Sequence, residues 1–307
     1  MPPVAALPHN FEDYIAPTCN RLHFLQAYLA DWGVESSIIP LAGRKHLYVQ
    51  FPQTAYNPLF KIKTVITHYD RVPNSPGAND NSAANIMIAD WAGRLVARSR
   101  KGGALAAHNV RIFFTDGEEL GENGVNEQGA FALAELFRKL GITRDDVYVF
   151  DACGRGTVPV LARAGIDALK KTGASFKKQF VSLYQRTQNL LRDCSPNHWL
   201  TLPVPYSDNA GFLACGIPAV AITLLPEDEA NAYLRNLMND KNLEKEVMHA
   251  HWETDDPARL PRFRYEEMMP KTWRLFHTEY DNALSLTPES VAVMQKLLDD
   301  LADLKIV

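Results

Sequence analysis

Apolar positions along the chain follow two rhythms. Val110–Phe114, Val147–Phe150 and Ala219–Leu224 are short apolar runs, and Lys61–Thr67 has a near-continuous apolar centre. Runs of this kind read as strands buried on both faces, as in a parallel sheet. Elsewhere the spacing is helical. From about Thr18, the residues Leu22, Leu25, Leu29 and Trp32 share one helix face, and Gly33 is placed to end the helix. Ser82–Arg98 reads as a helix with small alanines inward and Ser82 as its N-cap. Phe131–Leu140 (stopped by Gly141), Phe176–Arg192 and Val291–Leu304 continue the helical series. Two further strands, Ser36–Ile39 and His46–Phe51, flank a turn at Ala42-Gly43-Arg44. Residues 1–17 and the Asp255–Pro261 stretch read as irregular. Strands alternating with helices predict an α/β protein. The expectation is a single domain over residues 1–307: a mixed, mostly parallel twisted sheet with helices on both faces. Glu227–Lys271, charged and helical as far as Met248, is the expected cap segment.

Composition narrows the function without naming it. With 307 residues, 46% apolar, 22% charged and a net charge of −4, the chain reads as an ordinary globular protein. No basic run interleaved with aromatics points to nucleic acid, and no apolar window is long enough to span a bilayer. The N-terminus lacks the basic and apolar regions of a signal peptide, so a cytoplasmic location is expected. Cys19, Cys153, Cys194 and Cys215 form no CxxC pattern and read as free thiols.

The candidate chemistry gathers where elements end. His68 and Asp70 follow the Lys61–Thr67 strand, and residues i and i+2 of a strand point the same way. Alone, they fit a structural pair better than a metal ligand with its support. Asp80 sits in Gly77-Ala78-Asn79-Asp80-Asn81, where turn chemistry is the better reading of the loop taken alone. Glu118-Glu119 follows Val110–Phe114 directly, and adjacent carboxylates at an apolar strand end repel unless a cation or proton intervenes. Asp151 ends the next strand, with Arg155 as a conceivable partner. His277 is expected at a later strand end, its ring oriented by Asp281. His249-Ala250-His251 has metal-like spacing but fits a solvated helix face better. Two histidines and three carboxylates, from the five sites at His68, Asp80, Glu118-Glu119, Asp151 and His277, suit two Zn²⁺ ions. Adjacent side chains diverge, so one of Glu118 and Glu119 can hold a metal while the other faces a metal-bound water as a general base.

The order His-x-Asp, Gly-Ala-x-Asp, Glu-Glu, Asp and a late His resembles the co-catalytic zinc aminopeptidases of metallopeptidase family 28, the aminopeptidase S / aminopeptidase Y type. The likeness runs from about Ile62 to Asp281, and Ser207-Asp208 ahead of Phe212-x-x-x-Gly216-Ile217-Pro218-Ala219 fits the same pattern. It implies a zinc-exopeptidase (phosphorylase/hydrolase-like) fold, two Zn²⁺ ions and a peptide or small amino-acyl substrate. It implies that His68 and Asp151 hold one metal, that Glu119 and His277 hold the other, and that Asp80 bridges them. Glu118 would be the base, Asp70 the support of His68, and the Asp80–Asn81 peptide bond cis. One departure is Phe276, where some members of the family carry a tyrosine that steadies the oxyanion. Acceptors for a substrate α-amine are sought among Glu227, Asp228 and Glu229. Glutaminyl cyclases share the fold and a similar motif set with one zinc, and a non-catalytic binder is a third reading.

Overall fold

The computed structural model describes residues 7–8, 10–102, 106–166, 172–249 and 263–307. His9, His251 and the Asp255–Pro261 loop lie outside them. Eight strands form one sheet: β1 (Glu35–Leu41), β2 (Arg44–Gln50), β3 (Lys63–His68), β4 (Val110–Thr115), β5 (Asp146–Phe150), β6 (Val158–Ala162), β7 (Leu200–Leu202) and β8 (Ala219–Leu225). Their order is β1-β2-β4-β3-β5-β8-β6-β7. The inner strands β4, β3, β5 and β8 run parallel, β1 and β2 add antiparallel pairs at one edge, and β6 runs antiparallel to β8. The sheet is therefore mixed and mostly parallel, as its apolar runs predict. β3, β5, β6 and β8 are buried throughout.

Eleven α-helices cover the sheet among the described residues: α1 (Phe11–Ile15), α2 (Arg21–Asp31), α3 (Ala83–Lys101), α4 (Gly129–Lys139), α5 (Ala174–Cys194), α6 (Asn209–Ala214), α7 (Glu227–Asn239), α8 (Leu243–His249), α9 (Phe263–Glu266), α10 (Lys271–Leu275) and α11 (Glu289–Asp303). Side-chain alternation along the strands separates two cores. Val65, Ile112, Phe114, Tyr148 and Ile222 pack with α1, α2, α3, α5 and α11. Ile66, Phe113, Val147, Val149 and Ala221 pack with α4, α6, α7 and α8 on the other face. All four cysteines are free, and no helix among the described residues is long and apolar enough to cross a membrane.

Some local expectations give way to tertiary contacts. Ser82 does not cap α3. Its hydroxyl turns back to donate to the Gly77 carbonyl and accept from Arg21. The capping pattern is instead seen at α2, where the Asn20 side chain accepts the His23 N–H. Residues 11–15, read as irregular, form α1 because Phe11, Tyr14 and Ile15 bury against the core.

Candidate metal centre

The parallel strands end together, with His68 on β3 opposite Thr115 on β4. The loops leaving β3, β4 and β5 consequently deliver their polar residues to one place, the usual ligand-binding edge of an α/β sheet. His68 is the last residue of its strand and is almost wholly buried. Its Nε2 lies 3.2 Å from Asp80 Oδ1 and 3.6 Å from Asp151 Oδ1. On the far side of Asp80, Oδ2 lies 3.4 Å from His277 Nε2, which is 2.9 Å from Glu119 Oε2. Asp80 thus stands between His68 and the Glu119–His277 pair. Its peptide bond to Asn81 is cis, as the resemblance implies.

The backbone around these residues is specialised. Gly77 opens the Asp80 turn at φ +59°, and an added Cβ there would lie 2.5 Å from the Asp80 carbonyl oxygen. His277 (φ 62°) and Ala152 (φ 52°), the residue after Asp151, are left-handed without being glycine. Outliers of this kind gather at functional sites.

Asp70 has two tasks. Its Oδ1 lies 3.5 Å from His68 Nδ1, and its two oxygens accept the N–H groups of Glu118 at 3.2 Å and Glu119 at 3.1 Å. It therefore supports the imidazole and pins the Glu118-Glu119 turn. Gln128 donates its amide to Glu118 Oε1 at 3.3 Å.

Three expectations are corrected. His277 follows the short helix α10 rather than a strand. Asp281 does not serve the imidazole: it accepts the N–H groups of Asn79 at 2.8 Å and Asp80 at 3.0 Å, so it shapes the Asp80 turn. Arg155 is not the partner of Asp151. Its guanidinium reaches Glu229, Thr272 and the Ser285 carbonyl, and Glu229 is taken up by Arg155 and Thr272. That removes Glu229 as an amine acceptor. Asp208 is an acid the sequence reading left without a role. It is fully buried beside the cluster and accepts a hydrogen bond from Thr115 Oγ1.

Electrostatics sets this cluster apart. Six carboxyls (Asp70, Asp80, Glu118, Glu119, Asp151 and Asp208) crowd two imidazoles. Burial, reinforced by Glu119, Asp151 and Asp208, lifts Glu118 well above the carboxylate range. Burial and Asp80 push Glu119 up to about 7, and burial pushes Asp208 to about 7. For Asp80, hydrogen bonds from His277 and His68 outweigh burial and hold it below its ordinary value. Hydrogen bonds that Asp80 and Glu119 accept from its ring raise His277 to about 11. Burial opposes charge on His68, but Asp151, Asp70 and Asp80 together raise it well above ordinary imidazole. A site with this excess of negative charge holds either protons or cations.

The donor set fits a divalent metal. Both ring nitrogens of His68 and Asp151 Oδ1 are buried without a properly directed hydrogen bond. Three triads place their donor atoms within 4.8 Å of one another: His68–Asp80–Asp151, Asp80–Glu119–His277 and His68–Glu118–Glu119. A cation at about 2 Å from each donor is compatible with such spacing. Asp80 belongs to the first two. A cavity of about 200 Å³ opens over the cluster, walled by Val204, Tyr206, Met269, Trp273 and Phe276. Met269 comes from the expected cap segment, and residues 250–262 of that segment lie outside the described ones.

Comparisons agree on the fold. The crystal structure of Legionella pneumophila LapA aminopeptidase superposes with a TM-score of 0.60 at 14% identity, covering 96% of this chain and 68% of that one. Porphyromonas gingivalis glutaminyl cyclase gives 0.56 at 14% identity, covering 94% and 90%. Acidobacteriales bacterium glutaminyl cyclase gives 0.53 at 14% identity, covering 92% and 84%. No curated protein matches the chain by sequence. The sequence model of Peptidase family M28 matches residues 57–302, a span that holds every member of the cluster. On that match the chain belongs to peptidase family M28.

Proposed function

We propose that the chain is a zinc-dependent aminopeptidase that removes the N-terminal residue of a peptide or small amino-acyl substrate. The observation that carries this reading is Asp80, whose two oxygens face different ligand groups. His68, Asp80 and Asp151 would hold one ion, and Asp80, Glu119 and His277 the other. What zinc supplies when bound is Lewis acidity toward the scissile carbonyl and toward a water.

The chain's own residues do the rest. Glu118 is the general base: its carboxylate stands beside the donor set, where it would take a proton from the attacking water and return it to the leaving amine. Asp70 fixes the direction of Glu118 and Glu119 through their N–H groups and keeps the His68 ring in place. Gln128 restrains the Glu118 carboxylate. The apolar wall of the cavity receives the N-terminal side chain and excludes water from it. Phe276 lines that wall and brings no hydroxyl to an oxyanion.

A second reading, glutaminyl-peptide cyclisation, draws on the two cyclase structures, of which this chain covers 90% and 84%. The complete set of five metal donors favours the peptidase. The presence of those donors together with Glu118 also weighs against a non-catalytic binder. Peptides with varied N-termini, including glutamine, incubated with the zinc-loaded chain and followed by mass spectrometry, separate the readings. Loss of a whole residue is expected. Loss of ammonia alone from N-terminal glutamine would establish the cyclase, and no reaction on any peptide would leave the binder.

A further inference from the structure

Arg21 lies on α2, outside the family match at 57–302, yet it reaches the metal-site loop. It is buried at 6% exposure and pairs with no carboxylate among the described residues. Its guanidinium is instead surrounded by acceptors from both ends of the loop between β3 and Asp80. Nη1 donates to the carbonyls of Tyr69 at 3.1 Å and Asp70 at 3.3 Å, where the chain leaves β3. Nη2 donates to the carbonyls of Pro76 at 2.7 Å and Gly77 at 3.4 Å and to Ser82 Oγ at 2.7 Å, where the chain turns into Asp80 and α3. The Tyr14 ring lies 5.2 Å beneath the guanidinium.

The same N-terminal region makes a second connection. Asn85 donates to the Tyr14 hydroxyl and accepts from Thr67 Oγ1, which accepts from Asn81 Nδ2. Arg71 ties the loop back to the carbonyls of Ile15 and Ala16, beside α1. Residues before the matched region thus contact the loop on both sides of Asp80 without touching a donor atom.

We propose that Arg21 is a positioning residue for the metal centre. Its planar fork braces the two ends of the Asp70–Gly77 loop and so fixes where Asp80 stands relative to His68. A buried cation held by neutral acceptors and no counter-charge is costly. Here it rigidifies the one turn on which both ligand groups depend. Shape matters as much as charge: a guanidinium can bond two groups of carbonyls at once, whereas an ammonium is a point donor that satisfies one. Arg21→Lys therefore keeps the charge and loses the brace.

The proposal rests on Asp80 as a shared ligand, and two readouts on the full-length chain separate the ideas. In the metal-free protein, hydrogen exchange at residues 76–82 is expected to quicken in Arg21→Lys while β5 stays protected. In titrations against a chromophoric chelator, zinc affinity is expected to weaken about tenfold. Guanidinium ion added to Arg21→Ala is expected to restore part of that affinity. A folded Arg21→Lys with wild-type exchange at 76–82 and zinc affinity within about twofold of wild type would overturn the brace. If Arg21→Lys does not fold, Ser82→Ala, which removes one acceptor of the fork, is read the same way, and unchanged exchange there overturns it. A wild-type chain that takes up no zinc would instead count against the proposed function, with the exchange data still judging the brace.

Discussion

The two ends of the parallel strands both bury charge, and they handle it in opposite ways. At the N-terminal ends, the carboxylates meet cations. Asp146 pairs with Arg186 and Lys61, Asp145 with Arg111 and Thr64, and Lys63, lowered to about 7 by burial, donates to the carbonyls of Ala302 in the last turn of α11 and of Leu304 just after it. At the C-terminal ends, six carboxyls face two imidazoles, and burial drives Glu118, Glu119 and Asp208 toward holding protons. Both regions are apolar behind and polar in front, so burial alone does not separate them. Charge balance does: at one end the carboxylates have cationic partners in the chain, and at the other they outnumber the imidazoles and hold protons or cations.

The contrast is broken most severely at Glu118. Glu118→Gln keeps the shape and removes the base, so kcat on an aminoacyl-nitroanilide is expected to fall about 10²- to 10⁴-fold, with zinc content unchanged. A normal rate would remove Glu118 from the mechanism.

Paired substitutions at the two ends should move stability in opposite directions. Asp146→Ala strands Arg186 and Lys61 and is expected to cost about 3 kcal/mol, the low end for a buried pair because both cations still reach water. Asp208→Asn, measured in the metal-free protein above pH 7, removes a carboxylate that burial disfavours and is expected to stabilise by roughly 1 kcal/mol. Urea denaturation of both variants checks the signs. Destabilisation by both would mean that the metal-site end is balanced without cations.

A smaller effect comes from two buried histidines outside the cluster. Burial lowers His46 to about 4 and His108 to about 3. The unfolded chain takes up these protons below about pH 6.5, while the fold refuses them until pH 3–4. Their contribution to stability is therefore intact above pH 6.5 and is lost as pH falls toward 4. His108→Gln should reduce the slope of stability against pH in that window by about one proton, roughly 1.4 kcal/mol per pH unit. An unchanged slope would mean that His108 is accessible to protons in the fold.

How much of this was legible beforehand depended on range. The runs at 110–114, 147–150 and 219–224 announce buried parallel strands, because a strand covered on both faces leaves no polar alternation. β6 escaped notice: Pro159 interrupts Val158–Ala162, and its context is set by an antiparallel neighbour, β8, far along the chain. β7 has only three residues. At the site, His68, Asp80, Glu118, Glu119 and Asp151 could be picked out because carboxylates directly after apolar strands or in a tight turn are conspicuous. The partners of Asp281 and Arg155 are not legible, since their roles depend on contacts with Asn79, Asp80 and Glu229, which no local pattern encodes. Arg21 had no signal at all, because its partners are carbonyls 48 to 56 residues away.

The central claim is that Asp80 is shared by two cations, and metal content tests it most directly. Elemental analysis of zinc-saturated, chelator-washed protein should find two zinc ions per chain in the wild type, and one or none in Asp80→Ala. Two ions retained in Asp80→Ala, or a single ion in the wild type, would contradict the account.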